Sequence, residues 1–242
     1  SEQDWPLPGT RSIRYFLTAD GQLVDHEPRI KDSKRVFNYD PRRPVPTIGG
    51  TVTSGQPLMV GGAFDQREAL QFYSSQQPGR ALSERPDVLV FQTPVLAADV
   101  EITGALEADL WIASDCPDTD FTIKLIDVYP PSADYPEGFA MNLTDGVLRC
   151  RYRDSWERPS LLDPGKPYKI RVSAFPTSNL FVAGHRIRLD ISSSNFPHFD
   201  INPNTGEPEG RWRRTRVAAN TVFMDAARPS NVILPVIPRR HG

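Results

Sequence analysis

Residues 185–200 read HRIRLDISSSNFPHFD. Ile187, Leu189 and Ile191 alternate with Arg186, Arg188 and Asp190, a period of two that belongs to a strand with one apolar and one polar face. Ser192, Ser193 and Ser194 continue that strand, and His198 and Asp200 follow in a proline-containing loop. Serine, histidine and aspartate are also the parts of a nucleophilic triad, so their setting separates an enzyme from a scaffold. An α/β hydrolase exposes its serine on a G-x-S-x-G turn between a strand and a helix, within reach of a histidine and an oxyanion hole. No G-x-S-x-G occurs in this chain, and no helical pattern follows the three serines. Hydroxyls in that place predict hydrogen bonds that satisfy the end of a strand.

The same alternation recurs outward from this stretch. In ALEADLWIA, residues 105–113, Leu106, Ala108, Leu110 and Ile112 oppose Glu107 and Asp109. In GVLRCRYR, Leu148, Cys150 and Tyr152 oppose Arg149, Arg151 and Arg153, and in PYKIRVSAF, Tyr168, Ile170, Val172 and Ala174 oppose Lys169, Arg171 and Ser173. Each of these strands is expected to keep one face in water. Further strands are predicted over residues 12–18, 87–93, 99–103, 121–129, 221–225 and 231–237, with a bulge between Leu125 and Ile126 where the register shifts. Residues 64–73 carry the one helical pattern. The 24 prolines and 16 glycines are spread between these short runs, as in many short strands with irregular connections. The fold class predicted is all-β, a jelly-roll β-sandwich over 85–242, with residues 1–84 as an irregular N-terminal extension that wraps it and adds a strand or two. Residues 4–9, DWPLPG, read as a tether, and a start at Ser1 suggests a piece of something longer.

Composition narrows the function. With 242 residues and a formal net charge of -2, the chain can bury its own core and has no global field to recruit nucleic acid or an anionic membrane surface. No apolar run reaches the ~18 residues of a membrane helix, and the N-terminus lacks the order of a signal peptide; a cytoplasmic location is favoured, with a secreted parent left open. Cys116 and Cys150 fit neither a CxxC pair nor a zinc pattern, and read as two free buried thiols rather than one disulfide. S-x-x-K, H-E-x-x-H and phosphate-loop motifs are missing, and His26, His185, His198 and His241 are the only histidines. The expectation is no catalytic residue and no cofactor in this chain. Asp115, Asp118 and Asp120 in SDCPDTDF are candidate calcium ligands, weighed against turns in which an aspartate bonds its own backbone. Asn142-Leu-Thr144 is formally a glycosylation sequon. GRWRRTR, residues 210–216, reads as a solvated basic loop before it reads as a nucleic-acid site, and Trp156 and Trp212 admit a sugar platform.

Several stretches together resemble one family: DVLVFQTP (87–94), SDCPDTDFTIKLIDVY (114–129), NLTDGVLR (142–149), GHRIRLDISSSNFPHFDINPNTG (184–206) and RPSNVILPVI (228–237). RYFLTADGQL and FNYDPRRPVPTIGG fit the start of the same domain. The chain is similar to the C-terminal, non-catalytic domain of the X-prolyl dipeptidyl-peptidase and cocaine-esterase group of serine hydrolases. The resemblance implies a jelly roll of galactose-binding-like topology, packed on an α/β-hydrolase domain of the same parent that holds the serine, aspartate and histidine. It also leaves room for a homo-oligomer. Phe196, His198, Phe199, Asn202 and Asn204 are the candidates to face the hydrolase domain and its cleft. Two further readings stand beside it: an autonomous carbohydrate-binding module, and a processed subunit held to a separate catalytic half.

Overall fold

Alternating side chains commit each strand to two environments, and at the centre of this protein both are dry. A computed structural model describes residues 7–238. In chain order the strands are β1 (Arg11–Leu17), β2 (Leu23–Val24), β3 (Lys34–Tyr39), β4 (Leu89–Gln92), β5 (Val100–Gly104), β6 (Glu107–Ser114) and β7 (Asp120–Tyr129). They continue as β8 (Phe139–Arg149), β9 (Tyr168–Ser173), β10 (Thr177–Phe181), β11 (Arg186–Ser192), β12 (Ala218–Asp225), β13 (Arg228–Pro229) and β14 (Asn231–Ile237). The named strands pair antiparallel in two sheets, one of four strands in the order β4-β11-β7-β8 and one of ten strands. This is the all-β sandwich expected from the alternation.

The four-stranded sheet sends Phe91, Phe121, Ile123, Leu125, Leu189 and Ile191 inward against Leu106, Leu110, Ile112, Val222 and Val232 of the larger sheet, all in one buried cluster. Phe37 of β3 meets Phe121 edge to face, with centroids 6.2 Å apart. The register between β7 and β8 slips between Leu125 and Ile126, where the sequence placed its bulge. At Gly146 of β8 a Cβ would lie 2.1 Å from the Ser173 carbonyl, so only glycine lets β8 pass so close to the end of β9.

Four expectations need correction. The face of β11 expected to be wet is dry: Arg188 is 6% and Asp190 4% exposed. They bond each other, with Arg188 Nε donating to Asp190 Oδ1 at 2.7 Å, under a strap made of residues 45–88. Val45, Ile48, Phe72, Leu82 and Val88 of that strap form a second, smaller apolar cluster that packs Val90 of β4. Asp109 of β6 is dry too, covered by Arg171, whose Nε donates to it at 2.7 Å.

Residues 64–73 are not helical, because their backbone bonds run to distant partners. Gln66 N–H donates to Ala140 O, Leu82 N–H to Gln66 O, and Glu68 N–H to Arg80 O. Strand β8 stops at Arg149, and Cys150–Tyr152 forms a 3-10 turn instead of continuing the alternation. Asp118 turns the chain there: its Oδ1 accepts the Arg151 N–H and its Oδ2 the Arg151 Nε–H. The first 84 residues contribute β1, β2 and β3, of which β1 pairs with β14 and β3 with β12. Cys116 and Cys150 are free and buried, and burial pushes the Cys116 thiol up to about 12. Asp4, Trp5 and Pro6 of the expected tether, and His241, lie outside the described residues.

Candidate interdomain face

The loop after β11 is built by its serines. Ser192 Oγ donates to Asp87 O at 2.7 Å, Ser193 Oγ accepts Asn220 Nδ2–H at 2.8 Å, and Ser194 Oγ accepts the Val45 N–H at 2.9 Å. All three are buried. They tie the end of β11 to the strap and to β12, and none is bonded to an imidazole.

Among the described residues His26 meets Asp25 at the surface, at 3.3 Å, and two largely buried histidines also have carboxylate neighbours. His185 Nδ1 lies 2.8 Å from Asp127 Oδ1, and His198 Nδ1 lies 3.2 Å from Asp145 Oδ1. The second approach is badly angled, and Asp145 Oδ1 has no hydrogen bond. Burial raises the Asp145 carboxyl, but His198, Lys124 and Asn142 outweigh it and hold it below the usual range. No serine hydroxyl is bonded to any of these imidazoles, so no Ser-His-Asp arrangement is assembled among the described residues.

Beyond the serines the loop is clamped to the strap. Phe196 N–H donates to Val45 O at 2.9 Å, Thr47 N–H to Phe196 O at 2.7 Å, and His198 N–H to Thr47 Oγ1 at 3.2 Å. With its backbone fixed, the loop presents rings. His198 stacks on Phe199 with centroids 4.2 Å apart and on Phe175 at 6.2 Å, while Phe196 meets Tyr73 at 5.7 Å. Phe175 is half exposed and Tyr73 nearly so. Residues from three separate segments thus make one aromatic stripe. It leads into an open groove of about 320 Å³ lined by Arg149, Tyr152, Trp156, His198, Phe199 and Glu209 among others. Trp156 stacks on Tyr152 and is 75% exposed.

Of the sequence candidates, Phe196, His198 and Phe199 come together on this face. Asn202 and Asn204 do not: both are 0% exposed. Asn202 Nδ2 donates to Asp118 Oδ2 at 2.8 Å and Asp120 Oδ1 at 2.7 Å, and its Oδ1 accepts the Asn204 N–H. Asn204, at φ 64°, donates its own amide to Arg216 O. These asparagines are internal staples, because two buried carboxylates need neutral donors beside their arginines.

The three aspartates likewise diverge. Asp115 takes Arg216 and the Ala219 N–H, Asp118 takes Arg151, and Asp120 takes Arg149 Nε at 3.1 Å. A carboxylate held by its own guanidinium has little left for a cation, and the aspartates also do not make the local turns weighed against calcium. Burial pushes Asp120 up to about 6, with Arg149 and Asn202 opposing. The Asn142 side chain is buried and donates to Asp145, so the sequon is not available to glycosylation. Arg214 and Arg216 of the basic loop reach Glu207 and Asp115 at 4.0 and 3.1 Å, which suits a solvated, internally paired loop. Tyr73 and Phe175 escaped sequence reasoning. Phe175 sits just past the last alternating position of its strand, and Tyr73 lay inside the false helical pattern.

Comparison with known proteins gives the family of the chain. Residues 1–233 match the X-Pro dipeptidyl-peptidase C-terminal non-catalytic domain. The chain belongs to that family. Cocaine esterase of Rhodococcus sp. (strain MB1 Bresler) is 36% identical over 250 residues, covering 98% of this chain and 40% of the esterase. The crystal structure of an aminopeptidase from a marine sediment Thaumarchaeota archaeon superposes with a TM-score of 0.84 at 27% identity, covering 98% of this chain and 38% of that one. An α-amino acid ester hydrolase superposes with a TM-score of 0.79 at 28% identity, covering 93% and 36%. As a member of this domain family, the chain spans roughly two fifths of the length of the relatives it matches.

Proposed function

We propose that this chain is the non-catalytic domain of a serine hydrolase acting on acyl esters or X-Pro peptides, that it packs against the α/β-hydrolase domain of the same parent, and that its aromatic stripe helps to bound the substrate cleft. The observation that carries the reading is the ring cluster of Tyr73, Phe196, His198, Phe199 and Phe175, whose loop is fixed by backbone bonds and whose outer rings, Tyr73 and Phe175, are about half exposed. Rigid, partly exposed rings are the composition of an interface anchor, and domain contacts of this kind bury roughly 600–1,500 Å². Support also comes from the family and from the longer relatives, whose names include an esterase, an aminopeptidase and an amino acid ester hydrolase.

The test is calorimetric titration of this chain with the separately produced upstream segment of its parent. Phe175→Asp with Phe199→Asp should weaken the complex by at least about tenfold, as loss of anchor rings does, and should lower the ester-hydrolysis rate of the reconstituted pair. Equal affinity for the doubly substituted chain would refute the assignment of this face. The stacked and exposed Tyr152–Trp156 pair favours a second reading, a sugar-binding module. Sugar titrations of the isolated chain with and without Trp156→Ala distinguish it, since a scaffold domain binds no sugar in either form.

A further inference from the structure

On the other side of the strap lies a cavity of about 340 Å³ that the docking reading does not use. Its floor is a buried ion cluster. Arg85 donates through Nε and Nη2 to both oxygens of Asp87 at 2.9 and 2.8 Å, and through Nη1 to Glu68 Oε1 at 3.0 Å. The remaining Glu68 oxygen, Oε2, accepts the backbone N–H groups of Gln76 and Gln77. Burial works against the Glu68 charge, and those donors overcome it, so the carboxyl sits below its usual range. The cluster therefore fixes two consecutive glutamines.

Those glutamines aim two guanidinium groups. Gln76 Oε1 accepts Arg43 Nε–H at 3.0 Å, and Gln77 Oε1 accepts Arg80 Nη1–H at 2.8 Å. Arg80 Nη2 also donates to Glu84 O. Both arginines line the cavity, and neither has a carboxylate partner among the described residues. The carboxylates that share the lining are engaged elsewhere: Asp40 by Arg42, and Glu68 and Asp87 by Arg85. A neutral amide orients a guanidinium without cancelling its charge, so the outer N–H groups of Arg43 and Arg80 stay free for a charged acceptor.

We propose that this cavity binds the oxyanion of a small molecule, a carboxylate or a phosphate, between Arg43 and Arg80. Charge-assisted bonds from planar guanidinium groups suit both acceptors. The site is independent of whether the aromatic stripe docks a hydrolase domain.

Inorganic phosphate and succinate, titrated separately into the chain at constant ionic strength, test the proposal. Either anion should bind saturably with one site per chain. The R43Q/R80Q double variant, confirmed as folded by circular dichroism, should bind at least about tenfold more weakly, the cost of losing charge-assisted pairs. R158Q should bind as the unsubstituted chain does, because Arg158 is exposed between β8 and β9 and is not part of the cavity lining. Preference for phosphate would assign a phosphoryl ligand, and preference for succinate a carboxylate ligand. No saturation by either anion below about 20 mM, equal affinity in the double variant, or an equal loss in R158Q would overturn the site.

Discussion

The two faces of the four-stranded sheet are equally dry and are held by different forces. Inward, Phe121, Ile123, Leu125, Leu189 and Ile191 exclude water by apolar contact with the larger sheet. Outward, Thr122, Lys124, Arg188, Asp190 and Ser192 are just as buried, but beneath the strap they are satisfied by pairing. Arg188 takes Asp190, Ser192 takes Asp87 O, and Lys124 reaches Gln66 Oε1 at 3.5 Å. Burial holds Lys124 below the usual amine range, with Asp145 and Asp190 pulling the other way. The inner face stabilises the domain by the area it removes from water, whereas the outer face contributes little net energy and fixes where the strap lies. Since the strap carries Tyr73, Gln76 and Arg80, that second job positions both proposed surfaces.

Substitutions can break this contrast. Phe121→Ala on the inner face should cost the most, about 4 kcal/mol of unfolding free energy in urea melts, for the lost ring and the cavity it leaves. Asp190→Ala should cost roughly 3 kcal/mol because it strands a buried guanidinium, while the joint change Arg188→Met and Asp190→Leu should fall within about 1 kcal/mol of the parent. A joint change as damaging as the single one would show that the outer pair stabilises the fold outright.

Leu82→Ala in the smaller cluster should cost about 2 kcal/mol. Hydrogen exchange should also speed up at the strap amides of Gln66 and Glu68 before those of β7, since the strap has less apolar contact to hold it. Uniform acceleration would mean that strap and sandwich open as one unit.

A change in pH profile is expected at the start of β7. Asp120 is held near 6 in the fold against 3.8 for the free group, so the native chain binds the extra proton between those values. Its contribution is complete below about pH 3.8 and is lost as pH rises through about 6. Asp120→Asn should flatten the stability profile over that window. A carboxyl carbon titration of Asp120 with its midpoint at or below 4 would contradict the assignment.

Much of the sandwich was legible because a strand states its two faces locally. Ile187, Leu189 and Ile191 announce an apolar side whatever covers it, and the bulge at Leu125 and Ile126 shows as a slip in the same pattern. Arg188 and Asp190 announce a polar side, but polarity does not say whether water or a partner residue satisfies it. Asn202, Asn204, Asp118 and Asp120 misled for that reason: loop-type letters in a loop-type context turned out to be a buried, mutually saturated network. The aromatic face was half legible. Phe196, His198 and Phe199 stand together in the chain, whereas Phe175 and Tyr73 join them only in space.

By itself the sequence determined an all-β chain with inward residues at every second position, three serines without a nucleophile turn, and a family likeness strong enough to name the domain. Tertiary structure alone decided that residues 45–88 cover the outer sheet, that arginines and Asn202 hold the aspartates weighed as calcium candidates, and that Gln76 and Gln77 aim Arg43 and Arg80 into one cavity. The division follows from range. Strand periodicity is written between neighbours a residue or two apart, while the partner of a buried charge arrives from anywhere in the chain and is known only when the chain has closed around it.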